Sequence, residues 1–237
     1  MAGPTVARPV AFVCAMPVEM RAIVQQLSLG RTRRDGIELR VGRSGDREVV
    51  AITTGMGTAL AAAATRRMLE VVDVERVIVA GISGGVEDLT PIGTVVVPEI
   101  VVNSNTGAEH RPAPLGDHAP RGTLWTTDAM TSPTELAGLR ARGVVALDME
   151  TAAVAGVCEE RGVAWSVVRV ISDGPADEVD DEVFRLSNQD GTPNVANIVR
   201  YVARHPRRMP RLIRMGRNVQ VATGRAAEVA VAALASI

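Results

Sequence analysis

Residues 143–171, GVVALDMETAAVAGVCEERGVAWSVVRVI, decide the fold of this chain. Two apolar runs rich in β-branched residues, Gly143–Leu147 and Val163–Ile171, flank a stretch of helical periodicity at Asp148–Arg161. Runs this apolar predict strands that are buried on both faces, and a helix between two such strands is typical of parallel sheets. The segment therefore predicts an α/β fold in which helices cover both faces of a mostly parallel sheet.

The same alternation extends through most of the chain. Further strands are predicted at Val10–Ala15, Arg76–Ala80 and Thr94–Val102, a hairpin at Ile37–Gly42 and Glu48–Thr53, and helices at Pro17–Leu29 and Thr58–Val72. Residues 103–122 predict one long loop, and the chain from about Glu178 predicts helix. Because no linker divides the sequence, residues 1–237 predict a single domain with a helical, Arg-rich C-terminal extension from about residue 190.

Composition excludes several classes of function. The net charge is -1 and only five residues are aromatic, so neither a basic nucleic-acid surface nor a base-stacking platform is expected. All 26 basic residues are Arg, and without Lys the chain forms neither a Schiff base nor a Walker-type phosphate site. Two distant cysteines and three scattered histidines offer no metal-ligand spacing, so we expect neither a metal nor another cofactor. No apolar run is long enough to cross a bilayer, and we expect a cytoplasmic protein.

Unusual residues stand at five junctions where a predicted strand ends, which is where parallel α/β folds bind ligands. The five are AMPVE at 15–19, TGMGT at 54–58, GISGG at 81–85, LDMET at 147–151 and RVISDG at 169–174. GISGG is not the GxGxxG of a dinucleotide site. Glu19 suits the first turn of a helix, Asp148 a helix N-cap, and Asp173 a cap or an Asx-turn. Taken singly, these motifs leave both a structural and a functional role open.

In this order and at this spacing, the motifs resemble the nucleoside phosphorylase/nucleosidase superfamily. The matching motifs are GMG at 55–57, SGG at 83–85, DME at 148–150 and RVISD at 169–173, and AMPVE at 15–19 is similar to the methylthioadenosine/S-adenosylhomocysteine nucleosidase branch. The resemblance covers about residues 10–176 and implies a mixed, partly barrel-like sheet wrapped by helices, in a homo-oligomer. It also implies an enzyme that cleaves the N-glycosidic bond of a purine nucleoside through an oxocarbenium-like transition state.

The resemblance implies a role for each matching residue. Glu19 matches the glutamate that activates water, and Asp173 matches the aspartate that delivers a proton toward purine N7. Glu150 matches the glutamate that holds the ribose hydroxyls, with Met149 under the sugar and Met56 facing the sugar and its 5′ substituent. The implied base-binding residues are Ser83, Gly84, Met130 and Ser172, and Arg169 is implied to orient the aspartate and the neighbouring backbone.

Water and phosphate are the two candidate nucleophiles. The related phosphorylases carry an arginine where Glu19 stands and another about where Val79 stands, and a carboxylate would repel phosphate. We therefore expect hydrolysis, while Arg21 and Arg111 keep phosphorolysis open as a second hypothesis. A nucleoside-binding module without catalysis is a third hypothesis, which the joint presence of the three carboxylates disfavours.

Two departures from the family pattern bear on the substrate. Met130 stands where the nucleosidases commonly have a phenylalanine that stacks on the purine, and Ile82 stands where a small polar residue is usual. Few aromatic residues remain to form the wall of the pocket for a 5′-alkylthio group. A different 5′ group, larger and apolar, fits this sequence better than that of methylthioadenosine.

The C-terminal segment 200–217, RYVARHPRRMPRLIRMGR, holds seven arginines and no acidic residue. A solvated basic helix or a subunit contact is one interpretation. The segment also resembles the tail of the hopanoid-associated phosphorylase branch, which implies a lipid-linked, adenosylhopane-like nucleoside as an alternative substrate. Arginines interleaved with apolar residues then predict contact with an anionic membrane.

Overall fold

Apolar runs become strands and amphipathic stretches become helices across residues 7–177 and 186–237, the part of the chain that the computed structural model describes. The strands are β1 (Val10–Cys14), β2 (Gly30–Arg34), β3 (Ile37–Ser44), β4 (Arg47–Thr53), β5 (Arg76–Gly85), β6 (Val95–Val96), β7 (Ile100–Asn103), β8 (Glu109–His110), β9 (Thr123–Thr126), β10 (Val144–Asp148) and β11 (Ala164–Asp173). The helices are α1 (Pro17–Leu27), α2 (Thr58–Val71), α3 (Pro133–Ala141), α4 (Thr151–Glu160), α5 (Val195–Arg204) and α6 (Met209–Ala232).

These strands form one mixed sheet. Its order is β2-β3-β4-β1-β5-β10-β9-β7-β8, and β11 pairs with both β5 and β6. The central strand β5 runs parallel to β1 and β11 but antiparallel to β10. The expectation of a mostly parallel sheet is therefore wrong, because half of the strand pairs are antiparallel, and the mixed sheet implied by the family resemblance is the one found.

Helices cover both faces of the sheet because its central strands are apolar on both sides. In β1, Ala11 and Val13 pack in a cluster with buried residues of α2 and α4. Val10, Phe12 and Cys14 point to the other face and pack in a cluster with buried residues of α1 and α6. Complete burial of an aliphatic side chain contributes about 1.5–3 kcal/mol to the free energy of unfolding. Because β1 buries side chains on both faces, it contributes to both halves of the core.

The carboxyl end of β5 is where three strands meet. β5 pairs with β11 along its length, and Gly84 and Gly85 at its end also pair with β10. The register between β5 and β11 shifts between Ile171 and Asp173, so that Asp173 stands opposite Gly84. This irregularity turns the end of β11 toward the junction where the predicted site residues lie.

Several predicted elements need correction. The strand expected at Thr94–Val102 is wrong, because Pro98 separates β6 from β7 and the two halves pair with different strands. The long loop expected at 103–122 contains β8, which pairs with β7. The sequence analysis missed β2, β9 and α3, although Ser132 and Glu135 form a capping box at the start of α3.

The C-terminal region is helical in α5 and α6, as predicted. Residues 186–194 instead form a turn with an isolated bridge between Ser187 and Pro193. The part of the predicted helix at 178–185 lies outside the described residues. Within residues 7–177 and 186–237, no helix combines the length and apolar character that crossing a bilayer requires.

Candidate active site

A buried arginine near the carboxyl end of β11 organises the site. Arg169 is only 1% exposed, and its Nη2 donates to Asp148 Oδ2 at 2.5 Å and to Glu150 Oε2 at 3.4 Å. Its Nη1 lies 3.8 Å from Glu19 Oε1, and its Nε donates to Thr151 Oγ1 at 3.2 Å. Burial alone would lower the pKa of Arg169, but the carboxylates, Asp148 foremost, raise it above its usual range. One guanidinium therefore faces three carboxyl groups that are each at most 6% exposed.

Glu19 enters this cluster from the first turn of α1. Its Oε2 accepts hydrogen bonds from the backbone N–H groups of Ala15 and Met16 at 2.8 and 2.9 Å, and its Oε1 accepts one from Ile82 at 2.8 Å. Burial raises the pKa of Glu19, while Arg169 and the three N–H groups oppose that rise by stabilising the anion. The carboxylate is thus fixed in place with few acceptor positions left for a ligand.

Gly81 makes this close approach possible. A Cβ atom at this position would lie 2.2 Å from Glu19 Oε1 and 2.5 Å from Arg169 Nη1. Neither polar atom could stay where it is beside a larger residue. Gly81 is therefore required by the carboxylate and the guanidinium rather than by backbone conformation.

Glu150 follows β10 and reaches the glycine turn before α2. Its Oε1 accepts from the backbone N–H of Gly57 at 2.9 Å, and Gly55 and Gly57 have φ of 88° and 100°, which favour glycine. Burial raises the pKa of Glu150 to about 8, with Arg169 opposing the rise and Asp148 adding to it. The raised pKa favours the protonated form of Glu150, and a carboxylic acid can both donate and accept hydrogen bonds.

Asp148 is a partner of Arg169 that the sequence analysis treated only as a helix cap. It caps α4 through Thr151 N at 3.0 Å, and it also accepts from Thr126 Oγ1 at 2.6 Å. Its position between two other acids in the cluster could not be inferred from the local sequence, because the contact with Arg169 spans 21 residues. The DME motif at 148–150 was the only available signal.

Asp173 lines the cavity from the end of β11. Its Oδ1 accepts from Ser172 Oγ at 2.6 Å, and its Oδ2 lies close to Gly84, where a Cβ would be 3.4 Å away. Burial raises the pKa of Asp173, Ser172 opposes the rise, and Asp177 adds to it. The protonated form that a general acid needs is thereby favoured.

A cavity of about 650 Å³ joins these groups. The predicted residues that line it are Glu19, Met56, Ser83, Gly84, Met130, Met149, Glu150, Ser172 and Asp173. Arg169 is not among the lining residues and lies behind the carboxylates. The hydroxyl of Ser83 is buried and has no hydrogen-bond partner in the described part of the chain, so it is available to a ligand or to water.

The two arginines considered for phosphate binding lie elsewhere. Arg21 is exposed and lines a second cavity between α1 and the β3–β4 hairpin, while Arg111 is exposed and lines neither cavity. Arg140 is the arginine among the residues that line the 650 Å³ cavity, and the sequence analysis did not single it out. Among the described residues, no group of three or more His, Cys, Asp or Glu side chains is placed to hold a metal ion.

Comparisons with known proteins identify the family of this chain. The model of the phosphorylase superfamily matches residues 9–120 and 109–204. A 5′-methylthioadenosine/S-adenosylhomocysteine nucleosidase from Bacillus thuringiensis is 27% identical over 196 residues, which cover 69% of this chain and 85% of the relative. The chain therefore belongs to the phosphorylase superfamily, as its motifs predicted, and it is an enzyme of that class.

Solved structures of nucleosidases share the fold. The S-adenosylhomocysteine nucleosidase of Streptococcus pyogenes superposes with a TM-score of 0.74 at 18% identity, over 99% of both chains. The 5′-methylthioadenosine/S-adenosylhomocysteine nucleosidase of Helicobacter pylori gives 0.72 at 14% identity, over 98% of this chain and 99% of that one. The predicted fold class, a mixed sheet flanked by helices, is confirmed.

Proposed function

We propose that the protein hydrolyses the N-glycosidic bond of an adenine-type nucleoside, with Glu19 as the base that activates water and Asp173 as the acid that protonates N7. The observation that carries this proposal is the buried cluster in which three carboxyl groups surround Arg169 on one side of the cavity. Departure of the base leaves positive charge on the ribosyl ring, and a fixed anionic environment stabilises such a transition state.

The remaining groups fit the two ends of such a substrate. Glu150 is positioned to hold the ribose hydroxyls, with Met149 and Met56 against the sugar. Ser83, Gly84, Met130 and Ser172 line the part of the cavity that would contact the base. Arg169 does not line the cavity, and no contact in the described part of the chain joins it to Asp173, which it was expected to orient. Its proposed role is instead to hold Glu19 and Glu150.

Hydrolysis accounts for the charges better than phosphorolysis. A phosphate dianion in this cluster would face carboxylates and no unpaired buried cation, since Arg169 is already shared by three acids. Arg21 and Arg111 do not line the cavity. A binding module without catalysis would not need both a buried Glu19 and a buried Asp173 at the ligand site.

Base release measured by chromatography tests the proposal. Adenosine, methylthioadenosine, S-adenosylhomocysteine, inosine and uridine are each incubated with and without phosphate. We expect adenine release at the same rate in both conditions. A requirement for phosphate would establish phosphorolysis instead, and release from none of the five would leave a binder or an enzyme for a lipid-linked nucleoside.

Two isosteric variants test the assigned roles. Glu19→Gln and Asp173→Asn should each slow base release by roughly 10²–10⁴-fold, the usual contribution of one general base or acid. Glu228→Gln is a matched control, because Glu228 is exposed on α6, away from the cavity, and pairs with Arg225 at 2.7 Å. A wild-type rate in either site variant removes that residue from the mechanism.

The 5′ group of the substrate is proposed to be large and apolar. The 5′ side of the cavity lies at Met16 and Met56, against the turn at 186–194: Met56 N donates to Gln189 O at 2.8 Å, and Gly191 packs against Met16. Two flexible methionine side chains suit a large apolar group. A series of adenosines with 5′-alkylthio chains of increasing length tests this; a rate that falls with each added carbon would contradict it.

Contact with an anionic membrane is proposed for the segment that follows this turn. Val195, Val199, Met209 and Ile213 are exposed along α5 and the start of α6. Within the described residues, no hydrogen bond or ion pair engages Arg200, Arg204, Arg207 or Arg217. Apolar side chains beside unpaired cations favour a surface of anionic lipids.

Co-sedimentation with vesicles at low salt tests the membrane contact. We expect binding to vesicles with phosphatidylserine, weaker binding to neutral vesicles, and loss of binding in the triple variant Arg200→Gln, Arg204→Gln, Arg207→Gln. Absence of binding to the anionic vesicles would refute it. A homo-oligomer in the cytoplasm, with Cys14 and Cys158 as free thiols, completes the proposal and is tested by light scattering and cell fractionation.

A further inference from the structure

The cavity continues past Asp173 to a charged pair that the proposed reaction does not use. Arg140 on α3 and Asp88, which follows β5, both line it. Arg140 Nε donates to the carbonyl of Val86 at 2.7 Å, and its Nη2 donates to Asp88 Oδ1 at 2.8 Å. These two bonds fix the plane of the guanidinium and leave its Nη1 hydrogens without a partner in the described part of the chain.

Strand β5 shows where this pair lies relative to the reacting groups. Ile82 donates to Glu19, Gly84 stands opposite Asp173, and the carbonyl of Val86 accepts from Arg140. Ile82 and Gly84 lie in β5, where each residue advances by about 3.3 Å, and Val86 is the first residue after this strand. The contacts of Glu19, Asp173 and Arg140 therefore follow one another in this order along the chain beside the cavity. A purine with its glycosidic bond near Glu19 and its N7 at Asp173 directs its six-membered ring toward Arg140.

We propose that Arg140 is a specificity-determining residue that donates a hydrogen bond to N1 of the bound purine, with Asp88 and the Val86 carbonyl as its positioning partners. The inference rests on the proposed function, because Glu19 and Asp173 define the sugar end and the N7 position. It assigns a substrate class: bases with a hydrogen-bond acceptor on the edge farthest from the glycosidic bond. A fixed donor of this kind is left unpaired by a base that lacks the acceptor, and such a base is rejected.

The side chains around Arg140 support a base at this end. Leu136 and Leu147 also line the cavity and offer apolar contacts for the faces of a flat ring. The side chain of Arg140 is 29% exposed, so its hydrogen bond to the base is partly screened by water. We therefore expect discrimination of about 10-fold to 100-fold for this charge-assisted bond, not the larger factors of fully buried sites.

A double-mutant cycle between protein and substrate tests the contact. The rates kcat/KM are measured for adenosine and for 1-deazaadenosine, which has CH in place of N1, with wild type and with Arg140→Met. The preference for adenosine should be about 10-fold to 100-fold smaller in the variant than in wild type, with no change in the rate toward 1-deazaadenosine. An effect of the deaza substitution on N7 basicity is the same for both proteins and cancels in the cycle.

The control is Arg142→Met, a substitution of the residue that directly follows α3. The Arg142 guanidinium stacks over the Trp125 ring at 4.7 Å and does not line the cavity, so this variant should keep the wild-type preference. Equal losses toward both nucleosides in Arg140→Met would overturn the inference, because they indicate a structural role alone. Thermal unfolding of both variants checks that α3 is intact.

A binding measurement keeps this test separate from the fate of the proposed reaction. Calorimetry with free adenine and 1-deazaadenine needs no turnover, and wild type should bind adenine more tightly by the same factor while Arg140→Met should not. If wild type releases no base but shows this preference in binding, the proposed reaction fails and the role of Arg140 stands. If wild type binds both bases equally, or neither, the role of Arg140 is wrong.

Discussion

Arginines in this chain occupy two opposite environments, behind the cavity and along the C-terminal helices. Arg169 is 1% exposed and is shared by Asp148, Glu150 and Glu19, whereas Arg200, Arg204 and Arg207 are exposed and unpaired within the described residues. A buried charge that loses its partner cannot be solvated, while an exposed charge is solvated already. The same residue type is therefore a structural necessity in one region and a means of contacting partners in the other.

Removing the buried arginine should have the largest effect. Arg169→Met leaves three acids in a buried cluster without a cation, and we expect a loss of about 3–5 kcal/mol in the free energy of unfolding at neutral pH. Part of this loss should be recovered at acid pH, where the acids take up protons. Denaturant unfolding at several pH values measures it, with the exposed Arg217→Met as control; equal stability of the two variants would remove the contrast between the regions.

Crowding the cluster tests its geometry without removing a charge. Gly81→Ala places a Cβ within 2.2 Å of Glu19 Oε1, which must move away from the N–H of Ile82. We expect a loss of about 1–3 kcal/mol in stability, the usual cost of overpacking, together with loss of base release. Gly224→Ala is the matched control, since nothing lies within 4 Å of the added atom on α6, and it should be neutral or stabilising.

The sequence predicted which residues line the cavity, but it did not predict the contacts that hold them in place. Glu19, Glu150 and Asp173 each follow a strand in a short motif, and strand ends converge in α/β folds, so local sequence was enough to bring them to one cavity. Their roles stay predictions. Arg140 belongs to none of the motifs. It reaches the cavity through the packing of α3 beside β10, which the sequence did not predict.

The elements that the sequence analysis missed share a physical cause. The two halves of the predicted Thr94–Val102 strand are apolar, but which strand each half joins is decided by the bend at Pro98 and by distant partners. β2 is a run of mostly exposed charged residues whose pairing with β3 follows from a tight turn at Asp35 and Gly36. Register and strand branching are tertiary properties, and hydrophobic periodicity alone does not contain them.

Protonation of the cluster can be observed as a dependence of stability on pH. The pKa of Glu150 is raised to about 8 from a usual value of 4.5, so the native state holds a proton that the unfolded state releases. The contribution of Glu150 to the free energy of unfolding should therefore be fully present below about pH 4.5. It should fall as the pH rises to 8, by up to about 1.4 kcal/mol per pH unit.

A neutral isostere separates this group from its neighbours. Glu150→Gln should flatten the fall between pH 4.5 and 8, whereas Glu19 and Asp173, whose pKa values are also raised, keep a contribution of the same sign. Because the raised pKa favours a neutral Glu150 and glutamine is neutral too, the variant should also keep more activity than Glu19→Gln. An unchanged slope in Glu150→Gln would mean that Glu150 is ionised in the native protein.

The smallest expected effect belongs to the exposed arginines. We expect a change of less than about 0.5 kcal/mol in the free energy of unfolding for each of Arg200→Gln, Arg204→Gln and Arg207→Gln. These side chains make no hydrogen bond or ion pair within the described residues that the substitution would remove. Arg211→Gln on the neighbouring helix turn should cost more, about 1 kcal/mol, because Arg211 donates to the carbonyl of Asp177. Base release from adenosine should be unchanged in the first three variants, so any loss of vesicle binding in them reports on the surface alone. If the three variants lose as much stability as Arg211→Gln, the exposed arginines hold the C-terminal helices to the domain. They would then have a structural role like that of the buried arginine, and the contrast between the two regions would be wrong.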